Sequence, residues 1–193
     1  MLLHRCDCVE AELKIQIADI FVDGDPKSYI TQTIGPSKEE IEQFDTYFQS
    51  PINNFYITDE ALRIRRILSQ GENERIELTY KGPKMGTEMK VREEITSGID
   101  SHFETIKILE QLGFSIVMEV SKRRTNWWKQ PITLSLDDVE GLGKFIEVEI
   151  LTSNSHSTLH NDKKRLLEFT RGLFPKWNGK NERKSYLELL LNK

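Results

Sequence analysis

The string Glu10-x-Glu12-x-Lys14 places two carboxylates and an ammonium at every second residue. On an extended strand such residues share one face, roughly 6–7 Å from one to the next. Val9, Ala11, Leu13 and Ile15 then form an apolar face behind them. The arrangement returns late in the chain, where Glu147 and Glu149 alternate with Ile146, Val148 and Ile150. Basic residues repeat it separately: Arg63 with Arg65, Lys81 with Glu77 and Thr79, Lys90 and Arg92 with Glu94, and Lys122 with Arg124. Carboxylate oxygens with water are the donors that Mg²⁺ or Mn²⁺ prefers. Arginine forks match phosphate oxygens, and lysine adds a point charge. The chemistry on offer is therefore divalent-metal binding at the acids and polyanion binding at the bases. A set of solvated outer faces is the bland alternative, but it predicts intermingled Lys, Glu, Thr and Gln rather than same-sign, same-face pairs.

These residues need strands to hold them. Alternation predicts strands over 9–15, 61–67, 75–81, 90–95, 114–124, 132–139 and 145–150, with a short one at Phe55-Tyr56-Ile57. Asp23-Gly24-Asp25-Pro26 reads as a turn. Ser37-Lys38-Glu39-Glu40 reads as a capping box for a helix carrying Ile41, Phe44 and Phe48, ending near Ser50-Pro51. Ser101-His102-Phe103-Glu104 reads as a second one, for a helix with Phe103, Ile106 and Leu109 that stops at Gly113. His102 is then an ordinary helix-start residue. Trp127-Trp128 reads as hairpin packing near a turn. Helices follow over 159–171 and 182–191.

The 193 residues suffice for one domain, taken here as 1–193 with C-terminal helices about 157–191 packed on the rest. Charged residues make up 30% of the chain, yet the net charge is −4. Neither a nucleic-acid partner nor a membrane surface is expected from that balance. The cysteines, Cys6 and Cys8, have no companions for a zinc site and read as thiols of a reducing, cytoplasmic compartment.

About eight strands joined largely by hairpins favour an α+β fold, an antiparallel sheet closed into a barrel with helices packed outside. If the charged faces turn inward, they line a tunnel. One wall offers Lys14, Arg63, Arg65, Lys81, Arg92, Lys122 and Arg124, and the other Glu10, Glu12, Asp137, Glu147 and Glu149. Such a lining is costly when dry and empty. It suits a triphosphate held by the cations and Mg²⁺ or Mn²⁺ held by the carboxylates, with Lys14 in a proton or charge role. No G-x-x-x-x-G-K-[ST] string is present to cradle phosphate in the P-loop manner.

These strings, in this order, resemble the CYTH superfamily of triphosphate tunnel enzymes. Glu10-x-Glu12-x-Lys14 is similar to its signature. Leu62-Arg63-Ile64-Arg65, Lys81-Gly82-Pro83, Arg92-Glu93-Glu94 and Lys122-x-Arg124 resemble its basic strands, and 137–149 its acidic hairpin. The ending Arg183-Lys184-Ser185-Tyr186-Leu187 is similar to the class IV adenylyl cyclase branch, although Lys184 stands where arginine is common. The resemblance implies an eight-stranded tunnel, divalent metal on its acidic side and triphosphate on its basic side. It leaves open cyclisation of ATP, hydrolysis of inorganic or thiamine triphosphate, or a non-catalytic nucleotide- or polyphosphate-binding module, with a homodimer as a further possibility.

Overall fold

The computed structural model describes residues 8–21, 23–86 and 89–193. Eight strands are hydrogen-bonded in the cyclic order β1-β5-β4-β3-β2-β6-β7-β8, and β8 closes on β1. They are β1 (Cys8–Gln16), β2 (Glu39–Gln49), β3 (Ala61–Ser69), β4 (Arg75–Lys81), β5 (Lys90–Gly98), β6 (Ser115–Lys129), β7 (Ile132–Val139) and β8 (Gly143–Ser153). Every pairing is antiparallel. The helices are α1 (Pro26–Ile34), α2 (Phe55–Thr58), α3 (His102–Gln111), α4 (His156–Leu173) and α5 (Tyr186–Leu191). The expected closed antiparallel barrel with helices outside is what forms. No helix among the described residues is long and apolar enough to cross a membrane.

The largest apolar core lies outside this barrel. Val9, Ala11, Leu13 and Ile15 of β1 pack with Ile146, Val148 and Ile150 of β8 beneath Leu166 and Leu173 of α4 and Ile30 of α1. Leu159, Leu166, Thr170 and Leu173 recur at helical spacing, so α4 presents one stripe to the sheet. With the apolar faces committed outward, period-two alternation turns every second charged residue inward. Smaller clusters place α3 against Phe48 and Ile64, and α5 against Val139 and Phe145.

Several local expectations are overturned. The helix expected from Ser37 is strand β2, paired with β3 along one edge and β6 along the other. Its Ile41, Phe44 and Phe48 fit a helical stripe, but so do Ile41, Gln43, Asp45 and Tyr47 a strand, and two flanking ladders outweigh a weak local preference. The nearby helix instead starts in the expected turn: Asp25 Oδ2 accepts from Ser28 N at 3.0 Å, and Pro26 occupies the first helical position. Phe55-Tyr56-Ile57 is not a strand but the single turn α2, capped by Asn54. The last helix begins at Tyr186 rather than 182, because Ser185 and Glu188 form the capping box. The α3 prediction holds in outline. Its end is a Schellman motif, with Phe114 N bonded to Leu109 O and Gly113 at φ 89°, although Phe103 is exposed rather than packed. Cys8 is disulfide-bonded, which corrects its reading as a free thiol, and Cys6 lies outside the described residues.

Leu166 is fully buried between α4 and the outer face of the barrel. Leu166→Ala should lower unfolding stability by about 2–5 kcal/mol in denaturant titrations. A loss below about 0.5 kcal/mol, typical of surface positions, would contradict this packing.

Candidate functional site

Strand pairing brings the scattered charges together. Glu12 lies opposite Glu149, and Lys14 opposite Glu147, across the β1–β8 ladder. On the other edge of β1, Glu10 lies opposite Arg92 and Glu12 opposite Lys90. The β2–β3 ladder sets Asp45 opposite Arg65, and the β6–β7 ladder sets Arg124 opposite Asp137. One cavity of about 220 Å³ is lined by Glu10, Glu12, Lys14, Arg63, Arg65 and Lys81, and equally by Arg92, Lys122, Arg124, Glu147 and Glu149. Of the residues singled out from the sequence, Asp137 alone is absent from that lining, and it is fully buried.

Most of these charges are already paired. Asp45 accepts from Arg65 Nε at 2.5 Å and Nη2 at 2.6 Å, and Arg63 Nη1 approaches the same carboxylate at 3.5 Å. Asp137 receives Arg124 through both its oxygens at 2.7 Å, Lys122 Nζ at 2.8 Å and the Tyr186 hydroxyl at 2.9 Å. Arg124 also bonds Glu147. Glu12 accepts from Lys90 at 2.7 Å, and Lys81 pairs with Glu94. Arg92 is spent on backbone, donating to Gly82 O at 2.7 Å and Asp59 O at 2.8 Å. Lys14 Nζ sits between Glu147 Oε1 and Lys184 O, both at 3.2 Å, with the Tyr186 ring 3.9 Å away.

Three features are left over. Arg63 Nε is buried without a hydrogen-bond partner. Among the described residues, neither Glu10 nor Glu149 makes a hydrogen bond or an ion pair. Burial raises the Glu10 carboxyl well above its ordinary value, and Glu149 and Glu94 raise it further. Burial pushes Glu149 up to about 7: Arg124 opposes the rise, and Glu147 and Glu12 reinforce it. Glu147 goes the other way: burial opposes its ionisation, but Lys14, Lys122 and Arg124 outweigh burial and hold it well below the usual carboxylate range. The lysines feel the same burial. Lys122 is lowered to about 8 by burial and Arg124, and Lys14 to about 8 by burial and Lys90. The tunnel thus separates carboxylates in direct ion pairs from two, Glu10 and Glu149, that feel Lys81 and Arg124 without pairing with them.

Those unpaired acids fit a divalent ion of one particular kind. Among the described residues no three His, Cys, Asp or Glu side chains converge on a single ion position. That donor set does not make an all-protein cage. It does suit Mg²⁺ or Mn²⁺, which keep several waters and take one or two carboxylates plus substrate phosphates. Glu10 and Glu149 are the fitting donors, since Glu12 beside them is taken by Lys90. Glu147 and Asp137 are turned instead to holding Lys14, Lys122 and Arg124 in place.

The sequence reading missed Asp45, because β2 had been taken for a helix. The signal was present in the alternation Gln43-x-Asp45-x-Tyr47. Lys90 was seen on the right face but given no role, and it anchors Glu12. Tyr186, read only as packing, carries Lys14 on its ring and bonds Asp137.

The sequence profile of the CYTH domain matches residues 10–185. Over 189 residues the chain is 34% identical to a Methanocaldococcus jannaschii protein whose adenylate cyclase name is provisional, a match covering 94% of this chain and 98% of that one. The solved PH1819 protein of Pyrococcus horikoshii is similar with a TM-score of 0.80 at 34% identity, covering 95% of this chain and 98% of that chain. A Hippeastrum protein, named as an adenylyl cyclase and described as having a dominant triphosphatase activity, shares the fold at a TM-score of 0.64 and 15% identity, covering 96% and 95% of the two chains.

Asp45 generates a pH prediction. Burial alone would raise its carboxyl, but Arg65 and Arg63 outweigh burial and depress it far below its ordinary value. A carboxylate whose folded pKa lies below its unfolded one stabilises the fold fully above the unfolded value of about 3.9, and the contribution is lost as pH falls toward the folded value. Urea titrations from pH 6 down to about pH 3 should therefore show a steeper loss of stability in the wild type than in Asp45→Asn. Parallel curves would contradict the pairing.

Proposed function

This chain belongs to the CYTH domain family, and from that premise we propose that it is a divalent-metal-dependent enzyme acting on a triphosphate, its reaction the conversion of ATP to cyclic AMP and pyrophosphate. One observation carries the triphosphate reading: a single cavity holds the unpartnered Arg63 Nε together with Glu10 and Glu149, which make no ion pair. An anion and a metal would complete both at once. The cyclase reading is supported by the name of the Methanocaldococcus relative and by the Arg183-Lys184-Ser185-Tyr186 tail.

In this reading Glu10 and Glu149 would hold the metal, with Glu12 paired to Lys90 beside them, while Glu147 and Asp137 fix the cations that the substrate meets. Bound there, the metal would supply positive charge that stabilises the negative charge developing on the phosphates in the transition state. The chain supplies the remainder. The ribose 3′-oxygen attacks the α-phosphorus and gives up its proton to solvent water. The bond from that phosphorus to the α,β-bridging oxygen breaks, and pyrophosphate departs with the electron pair. In this reading Arg63, Arg65, Lys81, Lys122 and Arg124 would bind the triphosphate and stabilise the leaving pyrophosphate, joined by whatever donors Arg92 keeps beyond its bonds to Gly82 O and Asp59 O. They are held rigid before substrate arrives, so little reorganisation is needed when charge moves. Lys14, packed between Glu147 and the Tyr186 ring, is the candidate for a proton or charge role.

The same tunnel suits phosphohydrolysis, with water attacking a terminal phosphorus, and the activity described for the Hippeastrum protein favours keeping that as the second reading. Products separate the two. Purified protein with Mn²⁺ should convert ATP to cyclic AMP and pyrophosphate. Orthophosphate from inorganic or thiamine triphosphate, with no cyclic AMP from ATP, would replace the cyclase with a phosphohydrolase. Tight binding without turnover of any triphosphate would leave a binding module.

Two substitutions test the assigned roles. Arg63→Ala removes a charge-assisted contact worth about 1.5–3 kcal/mol and should lower kcat/KM by roughly ten- to a hundredfold. Glu149→Gln should raise the Mn²⁺ concentration needed for half-maximal rate, while circular dichroism stays that of the wild type. Activity that survives excess EDTA would remove the metal from the account.

A further inference from the structure

The ring of Tyr186 serves two lysines on separate strands. The Lys14 ammonium of β1 lies 3.9 Å from its centroid, and the Lys122 ammonium of β6 lies 5.0 Å from the same point. β1 and β6 are not neighbours in the barrel, since β7 and β8 stand between them. Among the described residues no other ring reaches either ammonium. The Tyr186 hydroxyl donates to Asp137 of β7 at 2.9 Å. The tail fixes this ring from outside the barrel. Ser185 and Glu188 form the capping box of α5, which makes Tyr186 its first helical residue. Glu188 is held in turn by Lys84 Nζ at 2.8 Å. Phe145 meets the ring edge-on, with an interplanar angle of 63°.

Two ammonium groups facing one cavity repel each other. Their acids answer part of that repulsion: Glu147 Oε1 lies 3.2 Å from Lys14, and Asp137 Oδ2 lies 2.8 Å from Lys122. An ammonium carries three N–H donors. Among the described residues Lys14 meets Glu147 and Lys184 O, and Lys122 bonds Asp137, so each keeps a donor for an incoming oxygen. A further carboxylate would also hold the lysines, but it would cancel the positive charge that a triphosphate needs. An aromatic face attracts both ammonium groups and carries no net charge. Tyr186 is buried, where that attraction is strongest because water screens it least.

We propose that Tyr186 is a positioning residue for triphosphate binding: its ring holds Lys14 and Lys122 in place and leaves their charge to the substrate. The role rests on the triphosphate reading of the tunnel and goes beyond it, because the group that orders two cations of the barrel comes from the tail. Without the ring, Lys14 is free to turn toward Glu12, whose carboxylate is 3.8 Å away.

Calorimetric binding of imidotriphosphate in the presence of Mg²⁺ tests this. Tyr186→Leu, which removes the ring, should weaken binding about ten- to thirtyfold. Tyr186→Phe keeps the ring and should stay within about threefold of wild type, since Asp137 retains Arg124 and Lys122. Trifluorophenylalanine at position 186 keeps the ring's shape but draws electron density from its face. It should bind about tenfold more weakly than Tyr186→Phe. Tyr186→Leu should also cost less in a Lys14→Met or Lys122→Met background than in the wild type, because its effect passes through those ammonium groups. A ring that serves packing alone gives different results. Tyr186→Leu within about twofold of wild type, trifluorophenylalanine equal to Tyr186→Phe, or a Tyr186→Leu loss undiminished in both lysine variants would each overturn the role and leave the tunnel reading standing. If the wild type does not bind imidotriphosphate, the tunnel reading itself falls, and the role of Tyr186 falls with it.

Discussion

A cation inside a closed barrel stays charged only if the barrel also supplies its counter-ion. Removing one partner of such a buried pair costs about 3–5 kcal/mol, because the survivor is left charged and desolvated. That constraint governs the lining of this tunnel. Asp45 balances Arg65 and Arg63, Asp137 balances Arg124 and Lys122, and Glu12 balances Lys90. Each acid sits opposite or beside its cation in the ladder, so the register of the strands and the balance of charge are one requirement. A slip of one residue would turn a whole strand's charges into the outer apolar core. What the pairing leaves unfinished, at Glu10, Glu149 and Arg63, is where the protein has capacity for a ligand.

The outer face makes that interior affordable. β1 and β8 put their apolar residues under α4 and α1, and the stability of the barrel comes from that outer core rather than from its centre. The C-terminal segment then joins the two systems. Asn181 Oδ1 accepts from Lys14 N, Glu182 N donates to Lys14 O, and Lys14 Nζ donates to Lys184 O. The strand that carries the acidic signature is therefore stitched to the tail that carries Tyr186. Tyr186 in turn reaches Asp137 inside and packs edge-on against Phe145, with ring centroids 5.2 Å apart. A change in the tail is transmitted to the Lys14 ammonium through these contacts.

Much of this was legible in the sequence wherever alternation was strict: Val9 to Ile15 has one apolar and one charged face throughout, and Leu62 to Arg65 and Ile146 to Ile150 do so over shorter runs, a pattern that a strand satisfies. The stretch 37–48 was not legible, because Ile41, Phe44 and Phe48 fit the helical period while Gln43, Asp45 and Tyr47 fit the strand period. Pairing with β3 and β6, which no local string encodes, decided it. The division of labour among the acids was hidden for a related reason. Asp137, Glu147 and Glu149 look alike along the chain. Only three-dimensional placement gives Asp137 to Arg124 and Lys122 and leaves Glu149 outside any ion pair.

The central claim is that one tunnel holds metal at its unpaired carboxylates and phosphate at its cations. Anomalous diffraction from crystals grown with Mn²⁺ and α,β-methylene-ATP tests it most directly. The account predicts a manganese peak within coordination distance of Glu10 or Glu149, with phosphate density running from that peak to Arg63 inside the barrel. Manganese bound elsewhere, or phosphates lying outside the barrel with Glu10 and Glu149 still without a cation, would contradict it.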